Sequence, residues 1–367
     1  MSSSALCGRV NSHDDFSPLE EIIVGHPFHS AYVSDVSSRL FYPKVTATEW
    51  EASGVSPTAV DGPRASLVEE MWEDHAGLVG LLEDCGVTVR VPDLATEPSL
   101  IKTPDWEVLA GHCTMIRDSV LVIADELIET PPLVRSRYFE TNLYKTLFYE
   151  YFESGARWTV APRPRMREVD FDYSFVREEG WWTSEVPVPE RYEIMFDAPQ
   201  VVRLGRDLVF NCSLENHILG AEWLQRHLGP EYRVHTVTTG IDDHLDCVLI
   251  PLRPGLILAH EDFDLQALPQ PLARWDVIRY RPEERVVDYM HDLPILASPA
   301  IFMNVLSLDE ERVIVDSEET GLMKLLEARG LTPIPCTFRH GRLIGGGFHC
   351  NTLDVRRRGG AEDYLAG

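Results

Sequence analysis

Residues 66–92 read "SLVEEMWEDHAGLVGLLEDCGVTVRVP". Leu67, Val68, Met71, Trp72, Leu78, Val79 and Leu82 recur at i, i+3 and i+4 spacing, the period of one helix face. Gly86 stands where such a helix needs a residue of positive φ to stop. The stretch that follows, "VTVRVP", has the β-branched content and alternation of a strand. The unit is helix, glycine, strand, and it recurs three times. "FETNLYKTLFYEYFESG" (139–155) leads to "ARWTVAP", "LGAEWLQRHLG" (219–229) to "PEYRVHTV", and "GLMKLLEARG" (321–330) to "LTPIPC". The terminal glycines, at 86, 155, 229 and 330, are too unevenly spaced for a solenoid. Apolar runs of strand length lie between the units: "EEIIVG", "SVLVIA", "DLVF", "DCVLIPL", "GLILAH" and "RVIVDS". A repeated strand–helix–strand module follows, hence a closed or pseudo-symmetric α/β fold with active residues on loops at one end. No linker divides the chain, so residues 1–367 read as a single domain. Residues 41–64 and 162–196, rich in proline, read as long loops of the kind that form lids or binding loops.

Composition narrows the function. The chain carries 59 acidic against 33 basic residues, a net charge of −26. That surface argues against nucleic-acid binding, which needs positive charge to meet phosphate. It suits solubility, or an acidic funnel for a cationic substrate. No run of 18 apolar residues marks a membrane span, and the first residues lack the basic-then-apolar order of a signal peptide. Seven cysteines, at 7, 85, 113, 212, 247, 336 and 350, show no CxxC pairing. Free thiols in a reducing cytoplasm are the expectation.

One cysteine stands apart. In "IGGGFHCNTLDVRRRGG" (344–360) three glycines run into His349 and Cys350. Glycine permits close approach and positive φ, so this thiol is expected to face solvent and meet a substrate there. A reactive thiolate needs a base or a positive neighbour. His349 is adjacent, but neighbours on extended backbone point to opposite sides. Better partners lie where other loops meet strands: His244, flanked by Asp243 and Asp246 in "DDHLDCVLIPL"; Asp197 in "MFDAPQVVRLGRD"; and Asp118 in "HCTMIRDSVLVIA". Each has a plainer reading. An aspartate before a strand is commonly a turn or cap residue, a histidine a bonded surface or core residue, and a cysteine a small buried hydrophobe.

The wording of these segments decides between the readings. "FDAPQVVRLGRD" (196–207), "HLDCVLIPLRPGLIL" (244–258), "MNVLSLDEERVIVD" (303–316) and "GGGFHCNTLDVRRRG" (345–359) together resemble the amidinotransferase family. The resemblance runs from "FSPLEEIIVGHP" through "IKTPDWE", "RSRYFE", "YFESGARWTVAPRP" and "EWLQRHLGPEYRVH", nearly the whole chain. It implies the pentein fold, an α/β propeller of five pseudo-symmetric ββαβ modules. It also implies transfer of an amidino group from a guanidino donor to an amine acceptor, in bacterial natural-product biosynthesis. Cys350 matches the nucleophile, His244 the general acid/base and Asp197 the carboxylate that orients it. Asp118 and Asp246 match carboxylates that hold the cationic group, with Met115, Arg117, Asn304, Phe263 and Phe302 among the substrate-binding positions. Such chemistry calls for no metal and no organic cofactor. The partners are small molecules, not nucleic acid or membrane, and a homodimer is a further expectation.

Two positions depart from the family. Arginine-using members carry an arginine for the donor carboxylate where "AHEDFD" (259–264) places Phe263, and Phe302 replaces a small serine. Asp243 and Ile241 differ from the glycine-specific enzyme. A donor without a carboxylate, or held differently, is expected, and glycine is disfavoured as acceptor. Arg253 and His260 are the nearest cations in sequence that could compensate. The competing reading is a hydrolase of the same fold, deiminase-like, in which water takes the covalent intermediate. A diverged enzyme transferring another acyl-type group is a further alternative.

Overall fold

The computed structural model describes residues 10–25, 63–92, 100–109, 115–167, 193–240, 244–283, 285, 297 and 299–366. Within them lie five three-stranded sheets of one design. In each, a central strand pairs antiparallel on one side and parallel on the other. Leu19–Val24 lies between Thr352–Arg357 and Thr88–Arg90. Glu126–Glu129 lies between Val120–Ile123 and Arg157–Val160. Asp207–Asn211 lies between Val201–Leu204 and Arg233–Val237. Leu256–His260 lies between Leu249–Arg253 and Asp276–Tyr280. Arg312–Asp316 lies between Leu306–Ser307 and Thr332–Cys336. The sheets are separate, and no single closed sheet is formed among the described residues.

A parallel neighbour requires a crossover, and a helix usually supplies it. Pro63–Asp84, Lys145–Glu153, Glu215–Leu228 and Thr320–Glu327 do so in four modules. These are the four helix–glycine–strand units of the sequence, and Gly86, Gly155, Gly229 and Gly330 all have positive φ. The first helix starts at Pro63, inside the segment expected to be loop; proline suits a first helical turn because its missing N–H has no partner there anyway. The rest of that loop, and 168–192 of the second, lie outside the described residues, as do Ile241 and Asp243.

The fourth sheet is the module that helical periodicity could not reveal. Its crossover is two short 3₁₀ turns, Leu265–Ala267 and Leu272–Arg274, separated by a stretch containing Pro269 and Pro271. Proline removes an N–H and clashes with the preceding turn, so no α-helix forms.

The strand at the start of the chain pairs with the strand at its end, in the sheet of Leu19–Val24. Behind that sheet lies a buried charge network. Arg203 is 1% exposed. It donates to Asp354 at 2.7 Å, to Asp15 at 3.0 Å, to Ser12 Oγ at 2.8 Å and to the Val122 carbonyl at 2.9 Å. Three sheets are thereby joined through one guanidinium. Removing one partner would strand a buried charge, at a cost of about 3–5 kcal/mol. No helix among the described residues is long and apolar enough to cross a membrane.

Candidate active site

The five modules present side chains from one topological position, the turn that enters the first strand. Asp118 precedes Val120–Ile123, Asp197 precedes Val201–Leu204, and His244 and Asp246 precede Leu249–Arg253. Asn304 precedes Leu306–Ser307, and Cys350 precedes Thr352–Arg357. Short one-turn helices hold most of them: Ile116–Ser119, Ala198–Gln200 and Leu245–Cys247. A strand entry is a natural place for a polar group, because it lies outside the hydrogen-bonded ladder yet its backbone is fixed.

His244 is the centre of the constellation. Its Nε2 lies 3.2 Å from Asp197 Oδ2 and its Nδ1 3.9 Å from Asp118 Oδ1. Burial opposes the imidazolium, but the charge of Asp118, the hydrogen bond to Asp197 and one to Cys350 raise the histidine well above its ordinary value. Asp197 is itself fixed: its N–H donates to Gln200 Oε1 at 2.9 Å as it caps the 3₁₀ turn.

Asp118 is 2% exposed. Its Oδ2 accepts from Arg137 Nη1 at 2.7 Å, and Arg137 also pairs with Glu140. Its Oδ1 has no hydrogen-bond partner among the described residues. A buried acceptor left open is costly unless something donates to it. Burial pushes the Asp118 carboxyl up against the pull of Arg137 and His244.

Cys350 is 1% exposed, which corrects the expectation of a solvent-facing thiol. The glycine run has a different use from the one read in sequence. Gly345 does take φ +81°, but at Gly346 a Cβ would meet Met115 Sδ at 2.1 Å and Cys350 Cβ at 2.9 Å. At Gly347 it would meet Asn304 Cβ at 2.8 Å. The glycines admit the protein's own side chains. Cys350 N–H donates to Asn304 Oδ1 at 2.9 Å, and Arg117 N–H donates to the Cys350 carbonyl at 3.4 Å. Its Sγ lies 3.9 Å from Asp246 Oδ2.

Asp246 is held from several sides. Its Oδ2 lies 2.6 Å from His349 Nδ1 and accepts from Asn304 Nδ2 at 3.2 Å, and its Oδ1 faces Cys247 Sγ at 3.6 Å. Burial works against ionisation, yet the hydrogen bond and charge of His349 hold the carboxyl below its usual range. His349 was set aside in sequence on the premise of extended backbone. Residues 348–351 instead form a turn, which carries its imidazole to Asp246. His349 and Cys247 are the site neighbours that sequence reasoning missed; adjacency to Cys350 and to Asp246 was the available signal.

The remaining expected substrate-binding positions are buried. Arg117 is spent on backbone and core: its Nε donates to the carbonyls of His349 and Thr352 at 2.7 and 2.9 Å, and its Nη2 pairs with Asp354 at 2.5 Å. Met115, Phe263 and Phe302 are buried in the same apolar cluster as Cys350. The Arg285 guanidinium lies 3.9 Å above the Phe302 ring centroid and pairs with Asp316 at 3.0 Å. Arg253 instead caps the Arg329 carbonyl at 2.8 Å. Burial holds His260 below the usual imidazole value.

No family model matches the chain. It is similar to L-arginine:L-lysine amidinotransferase of Pseudomonas savastanoi pv. phaseolicola, 37% identical over 367 residues, covering 97% of this chain and 96% of that protein. It is similar to inosamine-phosphate amidinotransferase 1 of Streptomyces griseus, 36% identical over 353 residues, covering 95% and 97%. Among solved structures it is similar to an amidinotransferase of the saxitoxin biosynthetic pathway from Microseira wollei, with a TM-score of 0.80, 34% identity, and 97% of this chain and 99% of that one covered.

Proposed function

The chain belongs to the amidinotransferase family, and from that premise we propose how its own residues carry the transfer of an amidino group from a guanidino donor to an amine. A guanidinium is planar, delocalised and a poor electrophile. It needs a soft nucleophile, fixed carboxylates and an acid for the departing nitrogen.

Asp118 Oδ1 and Asp246 accept the donor's N–H groups by charge-assisted hydrogen bonds. The Cys350 thiolate attacks the central carbon. His244, held as imidazolium between Asp118 and Asp197, gives its proton to the donor nitrogen, and the C–N bond breaks to release an amine. An amidino group then rides on Cys350 Sγ. The incoming amine attacks that carbon, His244 takes back a proton, and the C–S bond breaks to restore the thiolate. Asn304 bridges the Cys350 N–H and Asp246, so nucleophile and cation-holder keep one spacing throughout.

The observation that carries the reading is the placement of His244 between Asp197, Asp118 and Cys350. The proposal extends to architecture: a single domain over 1–367, with the five sheets arranged as modules of a pentein propeller around this site. Its support is a cycle of packing among the strand entries of successive modules, 116–119 with 198–200, 198–200 with 245–247, and 245–247 with 299–303. The cycle closes through Asn304 on Cys350 and Arg117 on Cys350. It extends also to natural-product biosynthesis, to a reducing cytoplasmic setting that suits a thiolate, and to a homodimer that light scattering would read.

Steady-state kinetics test it. Transfer through Cys350 gives parallel double-reciprocal lines when donor and acceptor are varied, and a new guanidine as product. A ureido product with ammonia, formed without acceptor, would establish the hydrolase reading instead.

A further inference from the structure

The active site holds a second thiol that transfer does not use. Cys247 follows Asp246 in the 3₁₀ turn Leu245–Cys247 and is 3% exposed. Its Sγ lies 3.6 Å from Asp246 Oδ1 and 3.8 Å from Asn304 Nδ2. Cys350 Sγ approaches the same carboxylate from its other oxygen, at 3.9 Å. The two sulfurs and a carboxylate oxygen all fall within 4.8 Å of one another.

Cys247 Sγ and Asp246 Oδ1 already stand near the length of one edge of a coordination polyhedron, and the whole set lies within 4.8 Å. A tetrahedral zinc with bonds of about 2.3 Å to sulfur and 2.0–2.2 Å to oxygen puts neighbouring ligand atoms roughly 3.5–3.8 Å apart. Two thiolates and one carboxylate are a soft, anionic donor set of the kind that selects Zn²⁺ and similar thiophilic ions over Mg²⁺ or Ca²⁺. Asp246 arrives already oriented, by His349 and by Asn304, as ligands of real metal sites are oriented by their hydrogen-bonded neighbours. Asp118 and Asp197 add negative charge to a pocket read as built for a cation.

A second cluster of potential ligands, Asp15, His349 and Asp354, does not compare. Its carboxylates are engaged by the guanidinium groups of Arg203, Arg117 and Arg357, which would repel a dication. The pair around Asp246 has no arginine hydrogen-bonded to its carboxylate among the described residues.

We propose that Cys350, Cys247 and Asp246 form a binding site for a thiophilic dication, Zn²⁺ in the first instance, that shuts the enzyme by capping its nucleophile. Binding forms two metal–sulfur bonds and one metal–oxygen bond in place of bonds to water, and each thiol proton displaced passes to solvent. The fourth position stays open to water. The guanidino donor and the metal need the same carboxylate and the same sulfur, so each excludes the other. The shut-off rests on Cys350 being the nucleophile; the ligation does not.

The test titrates the full chain, reduced and metal-free, with Co²⁺ as spectroscopic probe and with Zn²⁺, following absorbance and turnover together. The expected result is one Co²⁺ per chain with a thiolate-to-metal charge-transfer band in the near ultraviolet, displaced by Zn²⁺. Turnover is lost in step, and guanidino donor raises the metal concentration required. Cys247→Ala, with its own metal-free turnover as the reference, loses metal affinity by on the order of 10–100-fold or more, since even an outer-shell partner is worth that much. Cys247→Ser, closer in volume, serves the same purpose should the alanine variant misfold. Absence of the band in wild type, or equal metal affinity in wild type and either Cys247 variant, overturns the site. A band without loss of turnover overturns the shut-off. Ligation is read from the spectrum and nucleophilicity from an amidino adduct on Cys350, so the two readings fail separately.

Discussion

Gly346→Ala is the smallest change that probes how the nucleophile is placed. The added Cβ would sit 2.1 Å from Met115 Sδ, 2.7 Å from its Cε and 2.9 Å from Cys350 Cβ. Ordinary carbon contacts lie at about 3.5–4.0 Å, so the methionine tip must retreat by roughly 1.5 Å. The cysteine, or the glycine strand itself, must also give by nearly 1 Å. Met115 is fully buried and cannot swing into solvent. Overpacking of this kind costs about 1–3 kcal/mol of stability. A displacement near 1 Å at a reacting atom costs on the order of 10² in turnover. The expected result is therefore a folded enzyme, modestly destabilised in urea, with kcat down by about that factor. Gly345→Ala is the control. Its φ of +81° makes a side chain costly by about 1–2 kcal/mol, with a smaller effect on kcat. Adding Met115→Ala to Gly346→Ala removes the two closest clashes. Its destabilisation should fall short of the sum of the single variants, the mark of direct coupling. Wild-type turnover in Gly346→Ala, or strict additivity in the double variant, would refute the packing explanation of the glycine run.

Other consequences follow from the same geometry. His244→Asn should lower turnover by roughly 10²–10⁴, the usual worth of a general acid–base group, and near-normal rates across the pH range would exclude the residue. The raised value of His244 keeps the imidazolium present through neutral pH, so activity that needs this proton declines as pH rises through the raised value. Asp197→Asn removes one support of the charge and should move that alkaline limb to lower pH; an unmoved or rising limb would contradict it. L-arginine should be a poorer donor than agmatine by kcat/KM, because buried Phe263 and Phe302 would desolvate a carboxylate without pairing it. L-arginine as clearly the best donor, with no gain in Phe263→Arg, would sink that argument.

What could be read in the sequence was local. Helical period, terminal glycine and following strand are decided within about thirty residues, and all four such units are present with their glycines at positive φ. The fourth module hid because its crossover has no helical period, only two prolines and short turns. The residues singled out at strand entries, Asp118, Asp197, His244 and Cys350, come together as neighbours or through shared partners. What stayed hidden depends on contacts between distant segments. Asn304 joins Cys350 to Asp246 from 46 residues away in one direction and 58 in the other. The pairing of Leu19–Val24 with Thr352–Arg357 and the clamp of Arg203 on Asp15 and Asp354 carry no periodic signal at all. At His349 the premise of extended backbone fails, because a turn carries the FHC segment and takes the imidazole to Asp246.

The claim on which the rest depends is that Cys350 carries the group in transit. Incubating the reduced protein with a guanidino donor and no acceptor, then measuring intact mass and mapping peptides, reads this directly. One amidino group per chain should appear on Cys350, vanish on addition of an acceptor amine, and be absent in Cys350→Ala. An unmodified Cys350 in an enzyme that turns over, or an adduct on another residue, would contradict it.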